Sequence, residues 1–402
     1  MADTHLVLGA GQAGSWAAMA MREAGFAGRI LLLGAERVAP YERPPLSKAM
    51  LTAPAALPPP FFHPPERYAA RDIALRLACP AAAIDVAAGC VVLEDGERVG
   101  FDRLLIATGG RARRLTIPGG QHALVLRDLD DAAALRARLA AAQRVICIGA
   151  GVIGLEVAAS ARTLGKAVTV LEEASRPMGR AVSAEAAAFI AGLHAAAGCT
   201  LRCATRVLAI EAAGGGFIVH TDAGTLAADL VVAGIGMERN QEIAAAAGIA
   251  TDRGIVVDAR GATSAPGIYA AGDVTAFPHT LVPGLLRLET WRHAQNHAIA
   301  VARALCGQDG VYDDVPWFWT DQYGVNFQVA GLPGQAVRTV LRPDARFLAL
   351  HLDAENRLIG AEGADAARDI RAAERLIRHR RVLAPAMLAD PALTLTALAR
   401  QG

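Results

Sequence analysis

Two strand–helix–strand patterns predict an α/β protein with two Rossmann-like dinucleotide-binding domains, because each carries glycines spaced G-x-G-x-x-G between its first strand and its helix. In the first, the apolar run Thr4–Leu8 leads directly into Gly9-Ala-Gly11-Gln-Ala-Gly14. A helical pattern follows from Ser15 to about Ala24, then a second apolar run, Arg29–Leu33. Gly9 permits the tight turn, Gly11 lets the backbone approach a pyrophosphate, and Gly14 lets helix and strand pack closely. The helix start presents free N–H groups and the positive end of a dipole. A carboxylate about 20 residues beyond the motif takes a ribose hydroxyl in this arrangement, and Glu36 stands there.

The second pattern begins about 140 residues later, with the strand Arg144–Ile148, Gly149-Ala-Gly151-Val-Ile-Gly154 and a helix to about Leu164. Its second strand, Ala167–Leu171, ends at Glu172. Two dinucleotide sites are needed when two dinucleotides must meet, typically a flavin and its hydride donor. A carboxylate at Glu172 accepts both hydroxyls of an adenosine ribose and repels a 2′-phosphate, which favours NADH over NADPH. Arg176 and Arg180 lie close enough in sequence to act against that preference, and Glu173 is given no role.

Composition narrows the class. The chain of 402 residues is 53% hydrophobic and 20% charged, which marks a folded protein rather than a disordered one. A formal net charge of +1 argues against nucleic-acid or membrane binding over the whole surface. The first residues enter an apolar strand with no basic leader, and no apolar run approaches a membrane span. The six cysteines form no CxxC and no metal-like spacing, so no metal site is expected. These features lead us to expect a soluble, cytoplasmic protein of unknown oligomeric state.

Two further segments fit a cofactor protein. Leu104 to Gly109 reads as a strand running into a turn at Thr108-Gly109. Thr263 to Asp273 reads as a buried strand whose small residues let backbone approach a ligand, with Asp273 at its end. Each is, by itself, ordinary core and turn; their value lies in order and spacing relative to the fingerprints.

At several points the residues resemble a known family. Tyr41-Glu-Arg43-Pro44-Pro-Leu-Ser47-Lys48 is the most specific, followed by Leu126-Arg127 with Asp131-Ala132, and Gly149–Glu156. Tyr269–Asp273, Arg287-Leu-Glu289-Thr-Trp291 and Pro316-Trp-Phe-Trp319-Thr-Asp-Gln322 complete the set. The chain is similar, nearly end to end, to FAD-dependent, NADH-using ferredoxin reductases that serve aromatic-ring dioxygenases and bacterial cytochrome P450 systems. The resemblance implies that Ala13, Arg43, Pro44, Lys48, Ala81, Arg127, Asp273, Glu289 and Trp291 join Gly9, Gly11, Gly14, Glu36, Thr108 and Gly109 around FAD. It implies that Gly149, Gly151, Ile153, Gly154 and Glu172 hold NADH, with Gly236 beside it. The implied partner is an acidic [2Fe–2S] ferredoxin, docked transiently by charge. Four positions depart from the family pattern. Ala35 replaces an acid, Gly110 an alanine, Arg239 a proline and His293 a common asparagine.

The same resemblance implies a pyridine nucleotide-disulfide oxidoreductase-like architecture. An FAD domain of residues 1–112 and 240–316 encloses an NAD domain of 113–239, and a smaller α+β domain follows over 317–402. Strands are expected at Asn326–Ala330 and Phe347–Leu352, and a helix over Ala366–Arg378. The proline-rich stretch from Thr52 to Pro65 is expected to be a stiff surface loop rather than a domain linker.

For the chemistry, Lys48, Glu156 and Trp319 are the candidate catalytic residues. An ammonium at Lys48 stabilises negative charge on a reduced flavin, and Glu156 is expected to pair with it across the boundary between domains. Trp319 is the candidate cover for a flavin face, while Trp317 and Phe318 are assigned to core. Residues Arg371, Arg375 and Arg378 share one helix face suited to docking an acidic partner, and Arg111, Arg113 and Arg114 form a second basic patch. One rival, a disulfide reductase or thiol-dependent NADH oxidase, needs a redox cysteine near the flavin, and the segment from Tyr41 to Pro65 has none. Another rival, an apoptosis-inducing-factor-like flavoprotein acting as scaffold or DNA binder, needs a positive field that +1 does not supply.

Overall fold

In the first sheet the strands Arg103–Ile106, Thr4–Leu8 and Arg29–Leu33 bury apolar residues on both faces, so the sheet must be covered on both sides. This is the condition that makes parallel strands read as continuous apolar runs. The computed structural model describes residues 3–400, and these form two compact units. The first takes the described part of Met1–Glu42 with Pro58–Arg111 and Glu238–Asp314. Its central sheet is all parallel, in the order Ile268–Ala270, Arg103–Ile106, Thr4–Leu8, Arg29–Leu33, Ile73–Arg76. Side chains alternate between the faces. Val7, Ile30 and Leu32 therefore meet the helices Gln12–Glu23 and Trp291–Leu305, while Leu6, Leu8, Leu31 and Leu33 meet Ile84, Val91 and Phe277 on the other side.

The second unit takes Arg43–Leu57, Ala112–Met237 and the described part of Val315–Gly402. Its parallel sheet runs Thr200–Arg202, Ala167–Leu171, Arg144–Ile148, Leu230–Ala233. An antiparallel sheet of Val207–Ala213, Gly216–Thr221 and Gly224–Ala228 packs against it through Ile210 and Val219. The C-terminal portion is a five-stranded antiparallel sheet, in the order Trp317–Gln322, Val325–Gly331, Leu358–Ala364, Phe347–Leu352, Arg338–Leu341. The helix Ala367–Arg378 buries Ile370, Ala373, Leu376 and Ile377 and exposes Arg371, Arg375 and Arg378, as its periodicity predicts.

The segment Arg43–Leu57 was expected within the FAD-binding portion, yet it packs with the second unit. The reason is polar: Ser47 and Lys48 bond to Glu156, and Arg136 donates to the Met50 carbonyl at 3.2 Å. The proline-rich stretch is largely exposed, but the division between units falls within it, between Leu57 and Pro58, so it is also a linker. Among the described residues no helix is long and apolar enough to cross a membrane.

One buried contact ties the C-terminal sheet to the helix Ala184–Ala196. Glu362 accepts the Ser183 backbone N–H at 2.9 Å, the Ser183 hydroxyl, and His351 Nε2 at 2.8 Å. Both Glu362 and His351 are fully buried. Phe189 on the same helix stacks on Phe347, with ring centroids 4.9 Å apart. Removing one partner of a buried charged contact strands the others. We therefore expect Glu362→Ala to lower unfolding free energy by about 3–5 kcal/mol, measured by urea denaturation. The paired change His351→Leu with Glu362→Leu should recover a large part of that loss, and equal losses in both variants would contradict this account.

Candidate functional site

In both glycine turns, two of the three glycines stand where a Cβ would strike backbone. In the first unit Gly9 has φ +113°, and a Cβ there would lie 2.3 Å from the Ala107 carbonyl oxygen. A Cβ on Gly14 would lie 1.8 Å from the Gly9 carbonyl oxygen, whereas around Gly11 nothing stands within 4 Å. The helix Gln12–Glu23 begins there with no side-chain cap and no acid in its first turn, leaving its N–H groups open to an anion. The second unit repeats this geometry. A Cβ on Gly149 (φ +95°) would lie 2.6 Å from the Gly234 oxygen, and one on Gly154 would lie 2.0 Å from the Gly149 oxygen. The helix Val152–Thr163 also starts uncapped, with no acid in its first turn and Ile153 exposed beside Gly151. Gly236 (φ +104°) has open space around it. Together these features fit two pyrophosphates.

The two candidate ribose carboxylates are anchored differently. Glu36 lies beyond Gly34 on the loop after Arg29–Leu33 and accepts the Tyr41 hydroxyl at 2.6 Å. Glu172 accepts the Ala150 N–H at 2.6 Å on one oxygen and the Ala174 N–H at 2.8 Å on the other. Its carboxylate is thus fixed beside the second glycine turn. Arg176 is turned to the Gly179 carbonyl at 3.2 Å, and Arg180 is exposed.

Several of the remaining candidates of the first unit stand near the first cradle. Ala13 is buried, and a Cβ on Gly272 would lie 2.8 Å from its methyl. Asp273 therefore sits on a turn that closes against the start of the fingerprint helix. Gln12 donates to the Trp291 carbonyl at 2.7 Å. Thr108 and Asn240 exchange bonds of 2.8 and 3.0 Å, closing the turn at Gly109. Ala81 opens the strand Ala81–Asp85.

Arg239 and His297 were not singled out by sequence. Arg239, noted only as a departure, donates to the Asp273 carbonyl at 2.8 Å and pairs with Glu289 at 2.8 Å. His293 Nε2 donates to the Gly272 carbonyl at 3.3 Å, and His297 Nδ1 accepts the Gly272 N–H at 3.3 Å. The two rings stack with centroids 4.9 Å apart. Burial holds His293 far below the ordinary imidazole range and His297 down to about 3. Both are neutral props for the Gly272 peptide. The i, i+4 spacing of two histidines on one helix was the available signal.

In the second unit the expected ion pair forms. Lys48 Nζ lies 2.7 Å from Glu156 Oε2 and donates to the Pro44 carbonyl at 3.2 Å. Glu156 is 3% exposed and also accepts the Ser47 hydroxyl and, at 2.7 Å, the Thr320 hydroxyl. The pair forms inside one unit, not across a domain boundary as expected, because Ser160 Oγ binds the Ser47 carbonyl at 2.6 Å and draws the segment onto the helix Val152–Thr163. Pro44 opens the short turn Pro44–Ser47, where its fixed φ is favourable. Arg43 donates to the Arg127 carbonyl at 2.5 Å, and Arg127 N–H reaches Asp131 at 2.8 Å.

Trp319 lies on the strand Trp317–Gln322, half-buried, its indole N–H 2.9 Å from Asp321. Trp317 and Phe318 are half-buried as well, not core, and Trp317 stacks on Trp319 at 5.3 Å. Alternation along a strand puts both indoles on one face. Of the second basic patch, Arg111 is matched by Glu238 and Glu242 at 2.9 and 2.8 Å. All six cysteines are free thiols, and among the described residues no group of three or more His, Cys, Asp and Glu could hold a metal ion.

Comparison with known proteins agrees with this geometry. Residues 3–298 match the pyridine nucleotide-disulphide oxidoreductase family, and residues 317–399 match the reductase C-terminal family. The chain is 42% identical over 400 residues to the ferredoxin–NAD(+) reductase component of the anthranilate 1,2-dioxygenase system of Burkholderia cepacia, covering 98% of each chain. It is 36% identical to the ferredoxin reductase for the CYP199A2 system of Rhodopseudomonas palustris, with TM-score 0.95 over 99% of this chain and 100% of that one. It is 34% identical to a chain in the covalent putidaredoxin reductase–putidaredoxin complex, with TM-score 0.95 over 100% of this chain and 99% of that one. With two open glycine cradles, no redox thiol in the lysine-bearing loop and relatives matched end to end, the chain belongs to the pyridine nucleotide-disulphide oxidoreductase family, among the ferredoxin reductases of dioxygenase and cytochrome P450 systems, and is an oxidoreductase that binds a flavin and a pyridine nucleotide.

Proposed function

We propose that the flavin is FAD, that the nucleotide is NADH, and that electrons leave one at a time to a [2Fe–2S] ferredoxin serving an oxygenase. The observation that carries this reading is the pair of open cradles, each with a carboxylate beyond its second strand. A pyrophosphate cradle with a ribose carboxylate suits the dinucleotide FAD better than a flavin monophosphate. Glu172, held on both oxygens, presents a fixed negative charge that a 2′-phosphate would meet at close range. Bound FAD supplies a centre that accepts two electrons as a hydride and returns them singly.

The chain's own residues do the rest. Gly9, Gly11, Ala13, Gly14, Glu36, Arg43, Pro44, Lys48, Ala81, Thr108, Gly109, Arg127, Asp273, Glu289 and Trp291 are the residues assigned to FAD. Gly149, Gly151, Ile153, Gly154, Glu172 and Gly236 hold NADH. Lys48 brings a positive charge to the flavin ring, Glu156 fixes that charge, and Trp319 covers the ring. The exposed arginines Arg371 and Arg375 present a positive face to an acidic ferredoxin. Relatives support such a partner, since one is named for a ferredoxin and another was solved joined to putidaredoxin. Dependence on NADH, a nucleotide of the cell interior, supports a cytoplasmic location.

The direct test is steady-state cytochrome c reduction by NADH with and without a panel of [2Fe–2S] ferredoxins. A ferredoxin-dependent rate is expected, and reversing Arg371 and Arg375 to Glu should raise KM for ferredoxin several-fold at low salt. No stimulation by any ferredoxin would favour the scaffold or oxidase readings. In stopped-flow measurements Lys48→Ala should slow flavin reduction at least about tenfold while changing NADH affinity less. Trp319→Ala should leave that step intact, and instead alter the flavin spectrum and ferredoxin reduction. Equal loss in both steps for both variants would contradict the assigned roles. Each charge-assisted bond lost at Glu172 costs roughly 1.5–3 kcal/mol. Glu172→Ala should therefore narrow the NADH/NADPH ratio of kcat/KM by at least about tenfold, and an unchanged ratio removes Glu172 from nucleotide selection.

A further inference from the structure

Glu156 is the end of a chain of hydrogen bonds that the ion pair alone does not require. Thr320 Oγ1 donates to Glu156 Oε1 at 2.7 Å, and Gln322 Nε2 donates to Thr320 Oγ1 at 3.0 Å. Gln322 Oε1 meets His194 Nε2 at 2.7 Å, and His194 Nδ1 meets the Tyr323 hydroxyl at 3.1 Å. Glu156, Thr320, Gln322 and His194 are all buried, His194 completely.

The carboxylate dictates the direction of every bond. An ionised carboxylate only accepts, so the single proton of Thr320 must point to it. Thr320 must then accept, which turns the amide nitrogen of Gln322 toward it and the amide oxygen toward His194. The oxygen only accepts as well, so His194 carries its proton on Nε2. Its Nδ1 is left as the acceptor for the Tyr323 hydroxyl. Burial lowers the His194 pKa from its ordinary value, in keeping with a neutral ring. All four bonds therefore point the same way, and each polarises the next. The amide in the middle cannot pass a proton along, so the chain acts through position and field.

We propose that Thr320, Gln322, His194 and Tyr323 are positioning residues that hold the Glu156 carboxylate in place, so that the Lys48 ammonium stays beside the flavin and sets how readily the flavin is reduced. This rests on the reading of Lys48 as the residue that faces the flavin ring. His194 reaches the ion pair from the helix Ala184–Ala196, which begins shortly after the Glu172 loop. Without its donors the carboxylate and the ammonium drift together, and positive charge is lost from beside the ring.

The test is the two-electron midpoint potential of the flavin in the purified holoenzyme. His194→Leu and Gln322→Met should each make the flavin about tenfold harder to reduce, a fall of about 30 mV. His194→Gln, which restores an N–H donor toward Gln322, should return most of the shift. Tyr323→Phe removes only the outermost donor and should give a smaller shift of the same sign, which decides the matter if His194→Leu does not fold. In a Lys48→Met background the His194 and Gln322 changes should add nothing. If Lys48→Met itself leaves the potential unchanged, the flavin-facing reading of Lys48 fails. If Lys48→Met shifts the potential but the His194, Gln322 and Tyr323 changes do not, or add fully to it, the positioning chain is overturned.

Discussion

The buried carboxylate of Glu156 is the constraint to which much of the second unit answers. A carboxylate removed from water must be met by donors or it unfolds its surroundings. Here the donors come from three separated stretches: the loop carrying Ser47 and Lys48, the strand carrying Thr320, and, through Gln322, the helix carrying His194. Satisfying one charge therefore fixes where the loop carrying Ser47 and Lys48 lies against the helix Val152–Thr163. It also fixes the register of Trp317–Gln322, because only one face of that strand can present Thr320 and Gln322 together. Trp319 and Asp321 consequently point to the opposite face, where the indole N–H bonds to the Asp321 carboxylate.

The first unit is organised by close approach rather than by charge. Gly9, Gly14 and Gly272 each stand where a Cβ would strike neighbouring backbone or a methyl. Two neutral imidazoles clamp the Gly272 peptide, one accepting from its N–H and the other donating to its carbonyl. Protonating either ring would require charge in a site that burial strongly disfavours. The Gly272 peptide is thus held by uncharged rings, while the Arg239 guanidinium binds the Asp273 carbonyl that follows it.

How much of this was legible depended on sequence distance. The fingerprints were readable because glycines, strand and helix occupy a few consecutive residues, and the strands Arg29–Leu33 and Ala167–Leu171 fell where periodicity put them. Glu172 followed from its spacing. Lys48 and Glu156 were paired only through resemblance, and the pairing was placed across a boundary it does not cross. Arg239 was visible as an oddity, but its ties to Asp273 and Glu289 are long-range and left no local trace. The same holds for His194, whose partner Gln322 lies in the C-terminal region. Long-range polar contacts are chosen by the folded arrangement, and one sequence does not announce them.

The discontinuous units also impose an order on synthesis. The strand Ile268–Ala270 completes the first parallel sheet by pairing with Arg103–Ile106, and the entire second fingerprint is translated between them. At ordinary translation speeds the open edge of Arg103–Ile106 waits roughly 10–30 s for its neighbour. An apolar edge left unpaired is a template for pairing with another chain. For this protein the nascent polypeptide on the ribosome, more than the finished enzyme, is the form most exposed to aggregation, and slower decoding between the two strands would lengthen that exposure.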